Sequence, residues 1–488
     1  IMLVRALCLA AVFGLAVSTP INTGHKRPNI VFILGDDCGY GDFGSYPRSP
    51  NSTHGHLQTP HTDKLAKEGL RFTDAYTGAP VCAPSRCTIV TGRHSGHCTV
   101  RSNGPTLAKG DPSVAAVLKD AGYKTWHVGK WGLSGPASAP AEWAVPTAMG
   151  FDHYYGQLDQ ANCHNYYPSL MWRQDKKTTV EQNAHASVLS CGEDHAKCAW
   201  SGDLWTNETM SLLDAHANDP SSPFFLYLAH TTPHAGAVGS NVEDDVPIPR
   251  VSAGPYAKMK SEWPKVEVDY ASAITELDRQ VGLVVDKIDA LGLADETVVL
   301  FACDNGPHNE GGHDYTFFDS NGPLQGFKRS LHEGGHRTPL IIRWPSVVQA
   351  GRVTDYQATF YDFMATFADL AGVAPSSLNA TDGISFADVI TGQGQDQRPF
   401  VYHEYCDPNE HKNGWGQAVR IGNWSALCIG DEPKTTTDVP VCKTPQLFNL
   451  ADDPSQSTDV ASSHSDIVEQ MIKIMKEQHV PGNYCGHA

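Results

Sequence analysis

Four stretches of the chain carry residues that could do chemistry, three of them at the ends of apolar runs. Asp36 and Asp37 follow Asn29-Ile30-Val31-Phe32-Ile33-Leu34-Gly35. Asp304 and Asn305 follow Thr297-Val298-Val299-Leu300-Phe301-Ala302-Cys303, and His230 and His234 follow Pro223-Phe224-Phe225-Leu226-Tyr227-Leu228-Ala229. The fourth stretch is Cys82-Ala83-Pro84-Ser85-Arg86-Cys87-Thr88-Ile89-Val90-Thr91-Gly92-Arg93. Two adjacent acids such as Asp36 and Asp37 repel each other unless a cation compensates them. A cap or turn aspartate accounts for one of them, but not comfortably for both. A cysteine held near a guanidinium is either a nucleophile with a lowered pKa or a residue prepared for modification. The alternative for Cys82 is a disulfide half-cystine, the usual fate of a secreted cysteine. Because Cys82 stands two residues before Pro84, the expected backbone is extended or turned, not the middle of a helix.

The elements that must position these residues follow from the same pattern. The runs at 29–34, 223–229 and 297–302 read as buried parallel strands, and ligands bind at the carboxyl ends of such strands. Residues 268–291 read as the clearest helix, with Tyr270, Ile274, Leu277, Val281, Val284, Val285, Ile288 and Leu291 at helical spacing and Gly292 after them. Residues 59–69 read as a short helix opened by Thr59-Pro60 and closed by Gly69. A Gly-rich loop at 306–327 leads to Lys328 and the Glu333-Gly334-Gly335 turn, then to a strand at 340–342. Strand and helix patterns alternate to about residue 373, which predicts an α/β fold with a large, mostly parallel sheet sandwiched by helices. After Gly383 the pattern changes. Residues 397–450 read as short strands and 466–478 as a closing helix, a smaller C-terminal α+β domain with a short antiparallel sheet. The expected division is 1–18 leader, 19–375 catalytic domain and 376–488 C-terminal domain. Residues 134–205, rich in His, Trp, Tyr and Cys and poor in periodicity, read as long insertions around the site, where specificity usually lives.

The chain has 488 residues and a net charge of −18. That charge argues against a nucleic-acid partner, and any anion site must be a local cluster of Arg, Lys and His that outweighs the global field. Residues 2–18 read as a secretory signal, with Arg5 at its positive end and an apolar core at 6–17 too short to span a bilayer. No other charge-free apolar run is long enough for a span. Four sequons, at Asn51, Asn207, Asn379 and Asn423, agree with that route. Removing Cys8 with the leader and setting Cys82 aside leaves an odd number of the 13 cysteines. At least one free thiol is therefore expected, and Cys303, at the end of a buried run, is the choice.

The Cys82 stretch resembles the signature of type I sulfatases, Cys-x-Pro-Ser-Arg followed by Thr-Gly-Arg. A second signature of that family, Gly-Tyr-x-Thr-x-x-x-Gly-Lys-Trp, stands here as Gly122-Tyr123-Lys124-Thr125-Trp126-His127-Val128-Gly129-Lys130-Trp131. The resemblance implies the alkaline phosphatase superfamily fold and a cysteine oxidised to formylglycine by a formylglycine-generating enzyme in the secretory pathway. It implies a Ca²⁺ held by Asp36, Asp37, Asp304 and Asn305 together with the residue made from Cys82. It further implies catalytic roles for Cys82, Arg86, Lys130, His234 and Lys328, with His230 as the second choice for the histidine. The substrate would be a sulfated small molecule or glycan, and the location extracellular or lysosomal.

The residue types suit that chemistry. Three carboxylates and a carboxamide are hard oxygen ligands, good for Ca²⁺ and poor for Zn²⁺. In the family the hydrated aldehyde is a diol: one hydroxyl attacks sulfur, and the other lets the sulfated hemiacetal collapse. A serine would instead keep a stable sulfate ester. His234 and Lys328 would assist the departing oxygen, while Arg86 and Lys130 hold nucleophile and sulfate. One departure stands out. Many relatives have histidine two residues after the signature lysine, thought to assist the collapse, and this chain has Gly132. Three alternatives are open: His127 substitutes, a histidine of the 134–205 insertion substitutes, or the subfamily manages without one. Two other readings compete: a phosphatase or phosphodiesterase of the same superfamily, and a non-catalytic binder of sulfated glycans.

Overall fold

The computed structural model describes residues 26–50, 52–136, 138–184, 198–236, 254–406, 414–431 and 442–481. The leader and the Asn51 sequon lie outside the described residues; Asn207, Asn379 and Asn423 are exposed. No helix among the described residues is long and apolar enough to cross a membrane.

A ten-stranded sheet organises the molecule. Its strands are β1 (Asn29–Asp36), β2 (Leu70–Phe72), β3 (Lys124–Lys130), β4 (His153–Gln157), β5 (Leu170–Arg173), β6 (Lys176–Thr179), β7 (Phe224–Pro233), β8 (Thr297–Cys303), β9 (Leu340–Arg343) and β10 (Arg352–Thr354). The order is β10-β2-β9-β8-β1-β7-β3-β4-β5-β6. The five central strands, β8 through β4, run parallel. Antiparallel pairing enters only toward the edges, at β8–β9, β9–β2, β4–β5 and β5–β6. The expected parallel core is therefore present inside a mixed sheet.

Both faces of the centre are covered, which is why β1, β7 and β8 read as unbroken apolar runs. Ile30, Phe32 and Leu34 pack on one face with Ile89 and Val90 of one helix and Phe363, Met364 and Phe367 of another. Val31 and Ile33 pack on the other face with Ile274, Leu277, Val281, Val284 and Ile288 of the helix Lys265–Ala290. Each of those five fully buried side chains is worth roughly 1.5–3 kcal/mol by transfer from water.

Residues 134–205 depart from the expectation of irregular insertions, because they contain β4, β5 and β6 and so extend the sheet. These strands are only four or five residues long, and every residue of β6 is exposed. Strands this short give too few residues for a periodic pattern, and the edge strand β6 carries lysines and no apolar residue at all, so periodicity could not reveal them.

Helix α1 (Pro60–Glu68) forms where Thr59-Pro60 and Gly69 mark it, and α2 (Cys82–Thr91) is the helix that carries site residues. Val81 is extended (φ −152°, ψ 154°), and the helix begins at Cys82 itself. The sequence expectation of extended or turn backbone at Cys82 thus falls one residue short. Pro84 lies in the first turn, where its missing N–H costs nothing. Gly92 closes the helix in the left-handed region (φ 67°), donating to Thr88 O.

A second, four-stranded antiparallel sheet follows: β11 (Val401–Cys406), β12 (Gly414–Ile421), β13 (Trp424–Asp431) and β14 (Gln446–Asn449). The amphipathic helix Ser465–Gln478 packs Val468, Met471 and Met475 on one face of it. The other face meets the start of α2, where Val81 clusters with Leu331, Tyr405, Ala418, Leu427 and Phe448.

Disulfides join Cys38 to Cys303 and Cys428 to Cys442, and Cys198 and Cys406 are also disulfide-bonded. The choice of Cys303 as the free thiol is therefore wrong. Sequence alone could not see that β1 and β8 are neighbours, which brings Cys38 to it. The free cysteines among the described residues are Cys82, Cys87, Cys98 and Cys163, all buried. Alkylation under denaturing, non-reducing conditions should label Cys87, Cys98 and Cys163 and spare Cys38, Cys303, Cys428 and Cys442. Peptide masses check this, and a labelled Cys303 contradicts the pairing.

Candidate active site

Strands β8, β1, β7 and β3 are consecutive in the sheet and parallel, so their carboxyl ends form one edge. That edge presents Asp304 and Asn305 after β8, Asp36 and Asp37 at the end of β1, His234 after β7 and Lys130 at the end of β3. Helix α2 brings Cys82 and Arg86, one helical turn apart, to the same place. The Gly-rich loop brings Lys328. All nine residues are buried.

The charges are paired one to one. Lys130 Nζ donates to Asp36 Oδ2 at 2.6 Å, and Lys328 Nζ donates to Asp37 Oδ2 at 2.7 Å. Arg86 grips Asp304 Oδ2 through Nε and Nη2 at 3.1 and 2.8 Å, and spends Nη1 on the Lys130 carbonyl at 3.0 Å. Every nitrogen of that guanidinium is thereby committed to the protein. Cys82 Sγ lies 3.3 Å from Asp36 Oδ1 and 3.8 Å from Asp37 Oδ1.

Burial, then the Asp36 carboxylate, pushes the Cys82 thiol well above its ordinary pKa. The alternative of a lowered thiol pKa therefore finds no support. The two neighbouring acids titrate apart. Burial and the charge of Asp304 raise Asp36 to about 6, against Lys130, His234 and Arg86. Burial would also raise Asp37, but His234 and Lys328 pull it below the ordinary carboxylate range.

The donor set fits a hard cation. Asp36, Asp37, Cys82 and His234 bring ligand-capable atoms within 4.8 Å of one another. Asn305 donates from Nδ2 to Asp37 Oδ1 (2.6 Å) and to the Gly306 carbonyl (2.9 Å), which leaves its buried Oδ1 with no partner. A buried amide oxygen without a partner, on a residue that touches Asp37, is an acceptor that a hard cation would satisfy. Asp304 presents Oδ1 to the Asp37 N–H at 3.1 Å.

His234 Nδ1 bonds the Ala235 carbonyl, while its Nε2 faces Lys328 Nζ at 3.1 Å and Asp37 Oδ2 at 3.3 Å. His230, the second choice for that role, points elsewhere. It is buried beside Trp205, and neither of its ring nitrogens has a partner. His127 is wedged among Tyr154, Tyr227 and Trp131 with Nδ1 on the Tyr227 carbonyl, and burial lowers its pKa to about 3.

Two residues that sequence reasoning missed join the group. Glu310, from the Gly-rich loop, accepts from Lys328 at 2.8 Å and from Arg329 at 2.6 Å. His164, which follows the short helix Gln160–Cys163, stacks on His234 with ring centroids 3.7 Å apart, and its Nε2 lies 3.4 Å from Lys130 Nζ. Neither sits in a periodic element, so no local pattern marks it.

A second group, His94, His97 and Asp382, does not suit a shared ion. His97 Nδ1 is taken by Asp382 at 2.9 Å, and the Gly96 N–H donates to His94 Nδ1 at 3.1 Å. The two rings are stacked 4.0 Å apart at 30°, so an ion about 2 Å from each nitrogen could not lie in both ring planes.

With the geometry established, the class follows from its neighbours. The fold superposes on the crystal structure of Ps i-CgsB in complex with k-i-k-neocarrahexaose with TM-score 0.71 and 26% identity, covering 94% of this chain and 95% of that one. This sheet architecture is that of sulfatases of the alkaline phosphatase superfamily. The Sulfatase family model matches residues 28–373, and that of the N-sulphoglucosamine sulphohydrolase C-terminal region matches 325–480. Arylsulfatase A of Homo sapiens is 31% identical over 510 residues, spanning 97% of this chain and 90% of its own length. N-acetylgalactosamine-6-O-sulfatase of Bacteroides thetaiotaomicron is 26% identical, spanning 92% of this chain and 93% of its own. The chain belongs to the sulfatase family, and its reaction is the hydrolysis of a sulfate ester.

Asp36, raised from 3.8 to about 6 by burial and by Asp304, holds its proton more readily than Asp37, so a cation bound here would compete with that proton at low pH. Calcium titrated calorimetrically should bind more tightly at pH 8 than at pH 5, with proton uptake by the buffer at pH 5. Equal affinity at both would exclude Asp36 as a ligand.

Proposed function

We propose that the protein hydrolyses a sulfate ester of a sugar or a phenol, with formylglycine made from Cys82 and one Ca²⁺ held by Asp36, Asp37, Asp304, Asn305 and residue 82. The carrying observation is the placement of Cys82. It opens a helix, so the helix's positive end faces the reacting anion. Its side chain touches both acids of β1, and its thiol is held neutral, a poor nucleophile unless modified. The orphaned Asn305 oxygen supports the cation.

When bound, the hydrated formylglycine supplies the nucleophilic hydroxyl and the cation supplies charge for the sulfate oxygens. The chain's own groups do the rest. Asp36, Asp37, Asp304 and Glu310 stand against Lys130, Lys328, Arg86 and Arg329 in direct ion pairs. The local balance is thus near zero before a divalent ion adds to it, despite the −18 of the whole chain. Lys328 carries the proton in its contact with His234 Nε2, so these two residues hold a proton for the departing oxygen. Arg86 positions Asp304 through Nε and Nη2 and the Lys130 carbonyl through Nη1.

His164 is our choice for the base that Gly132 cannot supply, because it is the histidine that stands between Lys130 and His234. It comes from the insertion, whereas His127 is sealed in an aromatic layer. The division of the chain near residue 375 and a secretory location remain our reading as well. The separate second sheet and the exposed sequons support them. The named relatives support the substrate class only at the level of aryl and carbohydrate sulfates.

The mass of the peptide carrying residue 82, from protein made in a secretory host, tests the central claim. Formylglycine is expected there, together with turnover of 4-nitrophenyl sulfate. An unmodified thiol and no turnover would favour a non-catalytic binder of sulfated glycans. His164→Ala should lower kcat at least tenfold with a smaller change in KM and the same mass at residue 82. An unchanged kcat removes His164 from the reaction. Gly132→His should not rescue this variant. Gly132 has φ 76°, and an added Cβ would stand 2.5 Å from Gln160 Nε2. The left-handed backbone alone costs about 1–2 kcal/mol, so a lowered Tm is expected.

A further inference from the structure

We propose that the Cys38–Cys303 disulfide is a positioning clamp for the cation site. The proposal rests on the reading above that Asp36, Asp37, Asp304 and Asn305 hold that ion. The two cysteines bracket the ligands. Cys38 directly follows Asp36-Asp37, and Cys303 directly precedes Asp304-Asn305. The bond therefore ties together the two strand ends that carry every acid and amide ligand, across 265 residues of chain. Both sulfurs are fully buried.

The surroundings are built for the bond. Gly35 pairs with Cys303 in the β1–β8 ladder, and the Asp304 N–H donates to the Gly35 carbonyl at 3.1 Å. A Cβ on Gly35 would stand 2.6 Å from Cys38 Sγ and 3.4 Å from Cys303 Sγ, so the closed bond needs glycine there. On the other side Thr338 Oγ1 accepts from the Cys303 N–H at 3.0 Å and donates to the Cys303 carbonyl at 2.7 Å.

A clamp is needed because the ligands push apart. Asp37 is a non-glycine residue in the left-handed region (φ 66°), one residue before Cys38. Asp36 and Asp304 are fully buried acids on adjacent strand ends, both within 3.7 Å of Arg86 Nη2, so like charges are held close together. Cation affinity at such a site depends on how rigidly the oxygens are held, because ligand ordering done in advance is not charged to binding. Coupling of this kind is reciprocal: if the bond favours the ion, the ion must favour the bond. The Cys428–Cys442 bond, which closes only 14 residues in the second sheet, has no such position and serves as the control.

Calorimetry with CaCl₂ on the full chain decides the matter. The unaltered protein should bind one Ca²⁺. If it binds none, the cation reading fails and the clamp fails with it. Given that binding, Cys38→Ala/Cys303→Ala should raise the Kd for Ca²⁺ at least tenfold. Cys428→Ala/Cys442→Ala should lower Tm and leave that Kd unchanged. A Kd within twofold of the unaltered protein in the first variant overturns the proposal and leaves the cation reading intact. Should the first variant not fold, the unaltered protein gives the answer. Saturating Ca²⁺ should slow dithiothreitol reduction of Cys38–Cys303 at least tenfold relative to EDTA, read by alkylation and mass spectrometry. It should slow Cys428–Cys442, which lies in the second sheet with Cys442 only half-buried, much less. Equal protection of both bonds overturns the clamp.

Discussion

Three carboxylates buried at the ends of two adjacent strands impose the constraint on which the rest of the molecule depends. Two unit charges about 4 Å apart repel by about 4 kcal/mol at the effective dielectric near a protein surface, and burial adds a desolvation cost to each. The fold answers with one cation per acid, each from a different element: Lys130 from β3 for Asp36, Lys328 from the Gly-rich loop for Asp37, Arg86 from α2 for Asp304. Removing any one of these bases would leave a buried charge alone, the kind of loss that costs about 3–5 kcal/mol. The same balance poises the edge for an ion and an anionic ester.

Among the described residues the second sheet contributes no side chain to that edge, yet it governs the helix that does. Its apolar face seats Val81, the residue before Cys82. Around that contact the seam is polar and closed. His403 bonds the Thr77 carbonyl, Arg420 pairs with Asp74, Arg101 pairs with Glu404, and the Glu404 N–H donates to Ser95. These partners lie just before and just after α2, so the helix start is held at both approaches. The C-terminal segment thereby acts on the chemistry through backbone placement.

Legibility in the sequence tracked burial and periodicity. β1, β7 and β8 could be read because a strand covered on both faces becomes a continuous apolar run, and the helix Lys265–Ala290 because it has one apolar stripe against a polar one. Helix α2 could not be read this way. All ten of its residues are buried, so it has no contrast between faces, and Pro84 argues locally against a helix it merely begins. β5 and β6 were hidden for the opposite reason: both are only four residues long, and β6, at the edge, is exposed throughout.

The chain by itself determined the residue types and where each stands along its own strand or loop: acids after β1 and β8, a lysine at the end of β3, a cysteine four residues before an arginine. It determined the family through two signatures. Only the tertiary structure decided who meets whom. Cys303 pairs with Cys38, Arg86 serves Asp304, His164 reaches the edge and His230 does not. These contacts join residues from 34 to 265 positions apart. They exist because β8, β1, β7 and β3 lie side by side, an order set by the packing of the whole sheet and written in no local stretch of the chain.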